Sequence, residues 1–454
     1  MRTYELKKAP GTPLYEALYR CLRQDIRSGV LPAGSKLPSK RALAQHLEIS
    51  KITVETAYGL LLSEGYICAR EKVGYFVEAG NYSAPEHAAS EISPEAPAPA
   101  TLDLVTNSPA HFPFSVWSRL QREVMLDFGE KLLQPIDSQG CLALRQAIAE
   151  HLAAFRGMHI RPDNIIVGAG TDFLYNLLLQ LLGRDKIYAV EEPGYEKIRK
   201  IYAAGGVRCI GAAMDEQGVL PDRLGDARVL HISPSHHFPS GIVTPITRRQ
   251  ELLSWALEKN GYIIEDDYDS EFRFHAHPLP TLYSLDRQGR VIYLNTFSKS
   301  LTPAIRISYM VLPDGLLQSF RENLSFYSGT VASFSQYTLA RFLTRGYFER
   351  HINRMRKFYK TRRNKVVSAL ENCPWKDRIT VWEQDAGLHF LVEVDTALDG
   401  DALAEIWAKQ GILVQSLGSF YHDAVPESAR SSLVINYSGL DEGQLWRLDT
   451  LPPL

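Results

Sequence analysis

A segment of 20 residues rich in alanine and proline divides this chain of 454 residues. Residues 81–100, NYSAPEHAASEISPEAPAPA, contain six alanines, four prolines and three glutamates, and Ile92 is their only bulky aliphatic side chain. This composition buries too little apolar surface to offset the entropy lost on folding, and the prolines exclude a continuous helix. We therefore predict a linker over residues 81–101, which joins a small domain of residues 1–80 to a large one of residues 102–454.

The composition excludes several classes of protein. The apolar fraction is 45% and the charged fraction is 22%, as in an ordinary globular protein. The sequence has no apolar run of the roughly 18 residues that a membrane helix needs, and the segment MRTYELKKAPGTP lacks the apolar core of a secretory signal. Five cysteines without CxxC spacing argue against a disulfide framework or a zinc site. We expect cytoplasmic localisation, no membrane association and no metal.

The charge is distributed unevenly along the chain. Residues 1–78 carry 12 Lys and Arg against 8 Asp and Glu, whereas residues 79–101 carry three Glu and no basic residue. The remaining chain has 38 basic and 41 acidic residues. A basic head on an acidic body is typical of a small nucleic-acid module attached to a domain with another task.

The head has the pattern of a winged helix-turn-helix. A first helix begins after Pro13, and Ser39 and Ser50 are suited to cap two more helices. The segment EGYICAREKVGYFVE then predicts two short strands about a turn at residues 71–74. The second helix of such a motif enters the major groove, and the positive ends of both helices favour phosphate. The candidate DNA contacts are Ser39, Lys40, Arg41, Ser50, Lys51, Thr53 and, in the wing, Lys72. The alternative is a three-helix protein-interaction module with solvated charges.

In the body, strands alternate with helices. This pattern predicts an α/β fold with a largely parallel sheet covered by helices, and we divide it into a large lobe of about residues 145–330 and a small lobe of about residues 331–454. Ligands of such sheets bind beyond the carboxyl ends of the strands, where the polar clusters of this chain fall.

One of these clusters, YLNTFSKSLTPAIR, combines a lysine with groups that bind phosphate. Lys299 needs shelter to lower its pKa if it is to bond covalently to a carbonyl. Thr296, Ser298 and Arg306 supply hydroxyls and a guanidinium for a phosphate within eleven residues. The spacing therefore indicates a pyridoxal 5′-phosphate site.

Three further segments fit the same cofactor. In EDDYDSEF, Asp266 is placed to pair with a pyridine nitrogen and Tyr268 to hydrogen-bond a ring oxygen. A metal site made of Glu265, Asp266, Asp267 and Asp269 is the alternative. GAGTD offers a phosphate-binding turn at Gly170 and Thr171, and Tyr195 in EEPGY is a candidate to stack on a flat ring.

The head also resembles a known family. From PLYEALYRCLRQ to LLLSEGYI, including LPSKRALA and SKITVETAY, it is similar to the GntR-type winged helix. The resemblance implies that Ser39, Arg41, Ser50, Lys51, Thr53 and the wing contact an operator. Lys51 stands where that family often has Arg, so it contacts phosphate as a point charge rather than as a bidentate fork.

The body resembles the class I aminotransferases. The combination of GAGTD, EEPGY, SPSHHFPSG, EDDYDSEF and NTFSKSL is similar to the MocR-type regulators, which fuse a GntR-type head to this body, over residues from about 12 to 440. The resemblance implies a fold-type I transferase domain with a mostly parallel, seven-stranded-type sheet, a head-to-tail homodimer, and Lys299 bound to the cofactor as a Schiff base. It also implies that Asp266 meets the pyridine nitrogen, Tyr268 the ring oxygen and Tyr195 the ring face. The phosphate would be bound by Gly170, Thr171, Thr296, Ser298 and Arg306.

Two positions depart from the aminotransferase pattern. Phe238 replaces an expected Asn, so that His236 or His237 is left to supply that polar contact. Val434 replaces the late-strand Arg that holds a substrate carboxylate, and Arg430 or Lys197 is a candidate in its place.

We therefore predict a transcription regulator whose affinity for double-stranded operator DNA is governed by the cofactor-binding domain. Its effector is an amine or amino acid, or pyridoxal phosphate itself. The alternative is an active aminotransferase with an appended DNA-binding module.

Overall fold

The computed structural model describes residues 3–4, 13–70, 73–79, 101–106, 111–273, 279–382 and 387–454. The chain divides into two compact units, Met1–Ala98 and Pro99–Leu454. Apart from Thr101, the predicted linker lies outside the described residues. Within the described ranges, no helix combines the length and the apolarity needed to cross a membrane.

The N-terminal unit has the predicted three helices and hairpin. The helices are α1 (Leu14–Arg27), α2 (Lys40–His46) and α3 (Lys51–Ser63), and strands β1 (Ile67–Arg70) and β2 (Gly74–Val77) pair antiparallel.

Local capping explains where α2 and α3 begin. The Ser39 hydroxyl accepts a hydrogen bond from the amide of Ala42 at 3.1 Å, and the Ser50 hydroxyl accepts one from Thr53 at 3.1 Å. Each bond satisfies an amide that has no partner within its helix. The apolar faces of the three helices and the hairpin then form one core, which includes Leu18, Leu22, Ile26, Leu43, Val54, Tyr58, Leu61, Ile67 and Val77.

The C-terminal unit is built on an eight-stranded sheet. Its strand order is β4 (Ile165–Gly168), β11 (Ser308–Val311), β10 (Val291–Thr296), β9 (Tyr262–Asp266), β8 (Val229–Ile232), β5 (Tyr188–Glu192), β6 (Cys209–Asp215) and β7 (Gly218–Val219), numbered in chain order after β3 (Leu102–Asp103). Strands β10, β9, β8, β5 and β6 pair parallel, whereas β11 and β7 run antiparallel to their neighbours. The sheet has one strand more than the seven expected, because β6 turns back into the two-residue β7.

Helices cover both faces of this sheet, and the parallel crossovers require them. They are α4 (Phe114–Phe128), α5 (Leu142–Arg156), α6 (Thr171–Leu182), α7 (Glu196–Ala204), α8 (Ile246–Glu258), α9 (Leu282–Leu285), α10 (Phe297–Ser300), α11 (Asp314–Asn323), α12 (Ser333–Thr344) and α13 (Tyr347–Asn372).

A second, smaller sheet follows the long helix α13. Strands β12 (Ile379–Trp382), β13 (His389–Val394), β16 (Ser432–Asn436) and β15 (Gln415–Ser416) pair antiparallel in that order, and α14 (Gly400–Lys409) packs against them. The short β14 (Ile412–Leu413) pairs parallel with β3. One apolar core connects this lobe to the large sheet, with buried members that include Val167, Tyr309, Met355, Phe390 and Ile435.

The strand order places the functional segments next to one another. Strands β10, β9, β8 and β5 are neighbours and run parallel, so their carboxyl ends meet at one edge of the sheet. The segments that begin at Glu191, Ser233, Asp266 and Phe297 therefore converge there, as the alternation of strands and helices predicts.

Candidate cofactor site and nucleic-acid interface

A cavity of about 240 Å³ lies at this edge of the sheet. Its walls contain nine of the residues proposed from the sequence, namely Thr171, Tyr195, Lys197, Asp266, Tyr268, Thr296, Ser298, Lys299 and Arg306. The other lining residues are Asp172, Tyr175, Val190, Glu191, Ile198, His231, Ser233 and Phe238. Segments separated by up to 135 positions thus share one wall, from Thr171 to Arg306.

One end of the cavity is the N-terminus of α6. Gly170 has φ +89°, and a Cβ atom there would lie 2.4 Å from Nη2 of Arg306. Only glycine therefore lets the guanidinium approach the helix end so closely. Asp172 binds both cations of this region, with its Oδ2 3.3 Å from Nη2 of Arg306 and 2.8 Å from Nζ of Lys197. Amides of a helix N-terminus beside a guanidinium form a site for an anion such as phosphate.

Asp266 ends β9 with one carboxylate oxygen satisfied and the other without a partner. The Tyr175 hydroxyl donates to its Oδ2 at 2.5 Å, and Nε2 of His231 lies 3.4 Å from the same oxygen. Its Oδ1 is buried and has no hydrogen-bond partner. A buried carboxylate oxygen in this state is costly, and a ligand that carries an N–H would satisfy it.

Lys299 lies in the short helix α10, which directly follows β10. Burial lowers the pKa of its amine, and the charge of Asp269 opposes that shift. Thr296 caps the same helix, since its hydroxyl oxygen accepts hydrogen bonds from the amide of Ser298 at 3.1 Å and from the hydroxyl of Ser308 at 2.8 Å. Thr296 therefore lines the cavity while its hydroxyl holds α10 in place.

Tyr268 and Tyr195 differ in their surroundings. Burial raises the pKa of Tyr268 well above its ordinary value, and its hydroxyl lies 3.4 Å from Nδ1 of His236. Tyr195 is 51% exposed, and its ring meets that of Phe238 edge-on with centroids 5.9 Å apart.

The structure does not bring His237 or Arg430 into the cavity walls. His237 is buried, with Nδ1 2.6 Å from the Ser240 hydroxyl, and burial lowers its pKa to about 3. Arg430 is exposed and lies 3.7 Å from a carboxylate oxygen of Glu427. Val434 has apolar surroundings, because it is buried against Phe238, Leu391, Phe420 and Tyr421.

The alternative metal site made of four acids does not form. Glu265 accepts hydrogen bonds from the amides of Leu282 and Tyr283 at 2.9 Å, and Asp267 pairs with Arg156 at 3.0 Å. Asp266 faces Tyr175, as described above. Asp269 instead belongs to a group with His236 and His389, whose ligand atoms lie within 4.8 Å of one another.

Several residues of the cavity are not among those predicted from the sequence. Glu191 and Ser233 follow β5 and β8, so the rule that placed Asp266 also applies to them. Burial raises the pKa of Glu191 well above its ordinary value, and its carboxylate accepts a hydrogen bond from the Ser233 amide at 2.9 Å. No comparable signal marks Tyr175, which reaches Asp266 from the face of a helix.

In the N-terminal unit, α2 and α3 present an exposed surface at their first turns. Arg41 and Lys51 are exposed, whereas the amine of Lys40 lies 2.7 Å from a carboxylate oxygen of Glu55. Ile52 is 74% exposed, which is unusual for an isoleucine and fits contact with a thymine methyl group. The predicted contact Lys72 lies outside the described residues.

Each of the two units matches a known protein family. Residues 14–77 match the family "Bacterial regulatory proteins, gntR family", and residues 100–448 match "Aminotransferase class I and II". The HTH-type transcriptional regulator YhdI of Bacillus subtilis (strain 168) is 37% identical over 448 residues, which cover 96% of this chain and 94% of YhdI. The probable rhizopine catabolism regulatory protein MocR of Rhizobium meliloti is 32% identical and covers 96% of this chain and 92% of its own length.

The chain belongs to the MocR-type transcriptional regulators. It joins a GntR-type DNA-binding unit to a class I aminotransferase fold. The kynurenine aminotransferase of Pyrococcus horikoshii, solved in complex with PMP, resembles the C-terminal unit with a TM-score of 0.67 and 26% identity over 77% of this chain and 89% of that one. As a member of this family, the regulator binds pyridoxal 5′-phosphate.

The residues of this MocR-type regulator fit that cofactor. The unpartnered Oδ1 of Asp266 suits a protonated pyridine nitrogen, and the space kept open at Gly170 beside Arg306 suits a phosphate. The sheltered amine of Lys299 suits covalent attachment to an aldehyde.

Proposed function

We propose that this regulator changes its affinity for operator DNA according to what occupies the cavity around Lys299. One observation carries the proposal. A single cavity gathers a sheltered lysine, a carboxylate with a free buried oxygen and an anion site, in a chain whose other unit is a GntR-type DNA-binding module. The cavity and the DNA-binding unit belong to one chain, so a ligand that changes the state of the C-terminal unit would alter DNA binding.

Each wall of the cavity has a proposed role. Lys299 would attach the cofactor, Asp266 would meet its ring nitrogen, and Tyr268 would donate to its ring oxygen. Tyr195 would cover the ring face, and the phosphate would be bound by Gly170, Thr171, Ser298 and Arg306. When bound, pyridoxal phosphate supplies an aldehyde that reacts reversibly with primary amines. We leave His237 and Arg430 out of the site, because neither lines the cavity.

The residues that line the cavity also indicate which class of effector it binds. The two exposed cations of the cavity wall, Arg306 and Lys197, are both bound to Asp172 at the phosphate end. Val434 belongs to an apolar cluster that includes the cavity residue Phe238, so it offers a substrate carboxylate no cation. We therefore place pyridoxal phosphate itself, or an amine without a carboxylate at that position, ahead of an ordinary amino acid.

The regulator is also proposed to act as a head-to-tail homodimer in the cytoplasm, where its DNA lies. Large apolar side chains of the C-terminal unit are exposed, among them Phe114, Leu126, Leu133 and Phe326, each between 74% and 77%. Exposed apolar surface of this kind is typical of subunit interfaces. A two-fold dimer would read two half-sites.

The test is operator affinity measured at one salt concentration. Full-length protein first selects its binding sequence from a random DNA pool. Fluorescence anisotropy then compares apo-protein, protein with pyridoxal phosphate, and that protein with added amines or amino acids. We expect affinity to change about 5- to 150-fold between states, the range of typical coupling free energies.

Two variants make the comparison specific. Lys299→Ala should lose the response while it retains basal DNA binding, and Lys200→Ala, an exposed lysine outside the cavity lining, should retain both. Identical affinities in every state, together with steady conversion of amino acid to oxo-acid, would contradict the regulatory proposal and favour an active aminotransferase.

A further inference from the structure

A buried cluster of three side chains lies behind Tyr268 and is not used in the proposed roles. It consists of His236, Asp269 and His389, each at most 3% exposed. His236 follows β8, Asp269 follows β9, and His389 begins β13 in the smaller sheet. Three distant segments thus meet beside the cofactor cavity.

Asp269 determines which ring nitrogen of His236 carries the proton. Nδ1 of His236 lies 2.8 Å from Oδ2 of Asp269. A carboxylate only accepts hydrogen bonds, so Nδ1 must carry the proton and donate it. Nε2 of His236 is buried without a partner, which agrees with an unprotonated nitrogen at that position.

The same Nδ1 atom lies 3.4 Å from the hydroxyl oxygen of Tyr268. Since Nδ1 already carries a proton, it cannot accept one from the phenol. Nδ1 has one proton, which it donates chiefly to Asp269 at 2.8 Å, so the tyrosine oxygen accepts only the weaker, 3.4 Å branch of a three-centre hydrogen bond. The O–H of Tyr268 finds no acceptor at Nδ1 and is left to donate into the cavity.

Residues near the start of β13 cover the pair formed by His236 and Asp269 and exclude water from it. The ring of His389 lies 4.6 Å from that of His236, and burial lowers the pKa of His389 well below its ordinary value. Gly387 has φ +68°, and a Cβ atom there would lie 1.8 Å from Cε1 of His236. The close approach of this backbone leaves no space for a water molecule to replace the bond between His236 and Asp269.

We propose that Asp269 and His236 are positioning residues that direct the hydroxyl proton of Tyr268 into the cofactor cavity, with His389 covering the pair. Asp269 acts by holding the tautomer of His236, and His236 acts by presenting Tyr268 with a shared donor and no acceptor. This inference rests on the proposed role of Tyr268 at the ring oxygen.

The cluster has an alternative reading as a metal site, since two imidazoles and a carboxylate are zinc ligands. One feature favours the hydrogen-bonded reading, because the 2.8 Å separation of Nδ1 and Oδ2 is a hydrogen bond already made.

The test is the pH at which the absorbance of the protein-bound cofactor changes. A donor to the ring oxygen stabilises its ionised form, so Tyr268→Phe should raise this midpoint by about 0.5–1 pH unit, a three- to tenfold change in proton affinity. Asp269→Asn should act in the same direction although the tyrosine is intact, because an amide can donate to Nδ1 and reverse the hydrogen bond. His236→Leu should do the same, and His236→Asn, which keeps an N–H near Nδ1, should restore the wild-type midpoint.

A double-mutant cycle separates this role from the charge of Asp269, which also acts on Lys299. In the Tyr268→Phe background, His236→Leu should add no shift, and Asp269→Asn should add only the part that its charge exerts on Lys299. Circular dichroism and thermal unfolding check that each variant is folded, and His151→Gln is a control histidine outside the cluster.

Two results would overturn the inference while the cofactor site itself stands. The first is an absorbance midpoint that does not move in Asp269→Asn or His236→Leu. Shifts of His236→Leu and Tyr268→Phe that add fully in the double mutant would count in the same way. The other is stoichiometric zinc binding to the apo-protein that His389→Gln abolishes, which would assign the cluster to a metal. A wild-type protein with no cofactor absorbance band would instead contradict the proposed site and the inference together.

Discussion

At the scale of single residues, burial separates the two lysines of the cavity. Lys299 is shielded from solvent and its pKa is lowered, whereas the Lys197 side chain is 46% exposed and paired with Asp172. An amine reacts with an aldehyde only when it is unprotonated, so the lowered pKa of Lys299 favours its reaction.

We expect borohydride treatment of the cofactor-loaded protein to fix the cofactor on Lys299. Peptide mass spectrometry locates the modified lysine. Lys299→Ala should remove the modification, because no other sheltered amine lines the described cavity, and Lys197→Ala should leave it unchanged. A reduced adduct on another lysine in Lys299→Ala would show that the assignment is wrong.

At the scale of elements, helix ends supply both candidate anion sites. The first turns of α2 and α3 expose Arg41 and Lys51, while Lys40 is held by Glu55 on the neighbouring helix. Cations at a helix N-terminus and its free amides together attract phosphate.

Arg41→Ala and Lys51→Ala should each weaken operator binding and reduce its salt dependence. Each lost phosphate contact lowers the slope of log affinity against log salt by about 0.9, because one fewer counterion is released. Lys40→Ala should have a smaller effect, since its ion pair with Glu55 must break before it contacts DNA. Titrations at several salt concentrations measure the slopes, and Lys409→Ala in the other unit is the control. Unchanged slopes in both Arg41→Ala and Lys51→Ala would remove these helices from the DNA interface.

Gly170→Ala should weaken cofactor binding by about tenfold. The alanine has to adopt φ +89°, and its Cβ would push the guanidinium of Arg306 out of the anion site. A strained backbone of this kind costs roughly 1–3 kcal/mol. Gly157→Ala is a matched control, because Gly157 also has a positive φ of +65° but nothing lies within 4 Å of its Cβ position. Titration of apo-protein with pyridoxal phosphate gives the affinities. Equal losses in both variants would mean that the effect is general strain.

At the scale of the whole C-terminal unit, charged groups are buried beneath the cofactor cavity. Arg156 pairs with Asp267, and Arg249 lies 3.5 Å from Glu265. Glu271 differs from these paired groups, because its Oε2 is buried without a hydrogen-bond partner and burial raises its pKa to about 8.

Glu271 should make the unfolding of the apo-protein depend on pH. Below its unfolded pKa of about 4.3 the group is protonated in both states and costs nothing. As pH rises to about 8, the unfolded chain loses this proton while the folded chain keeps it, so stability falls and then levels off above pH 8. Glu271→Gln removes this dependence.

Calorimetry should therefore find Glu271→Gln more stable than wild type at pH 8.5, with a smaller difference at pH 5.5. The exposed Glu150→Gln is the control and should follow wild type at both values. A difference between Glu271→Gln and wild type that does not change with pH would show that Glu271 is ionised in the folded protein.

The amino-acid sequence determined the elements and the chemistry that local patterns carry. Ser39 and Ser50 mark the starts of helices, because a capping hydroxyl bonds to an amide only three residues away. Asp266 and Lys299 lie at or just after the ends of strands, as the alternation of strands and helices along the chain predicts. These signals depend on neighbours along the chain, so they can be read without the fold.

Only the tertiary structure decided which side chains meet. Tyr175 satisfies Asp266 from 91 positions away, His236 rather than His237 faces Tyr268, and Arg430 lies outside the cavity. Lys40 is a good phosphate ligand by type, yet a helix crossing pairs it with Glu55. Such choices depend on how close-packed helices and strands orient each side chain, and the spacing along the chain does not encode that orientation.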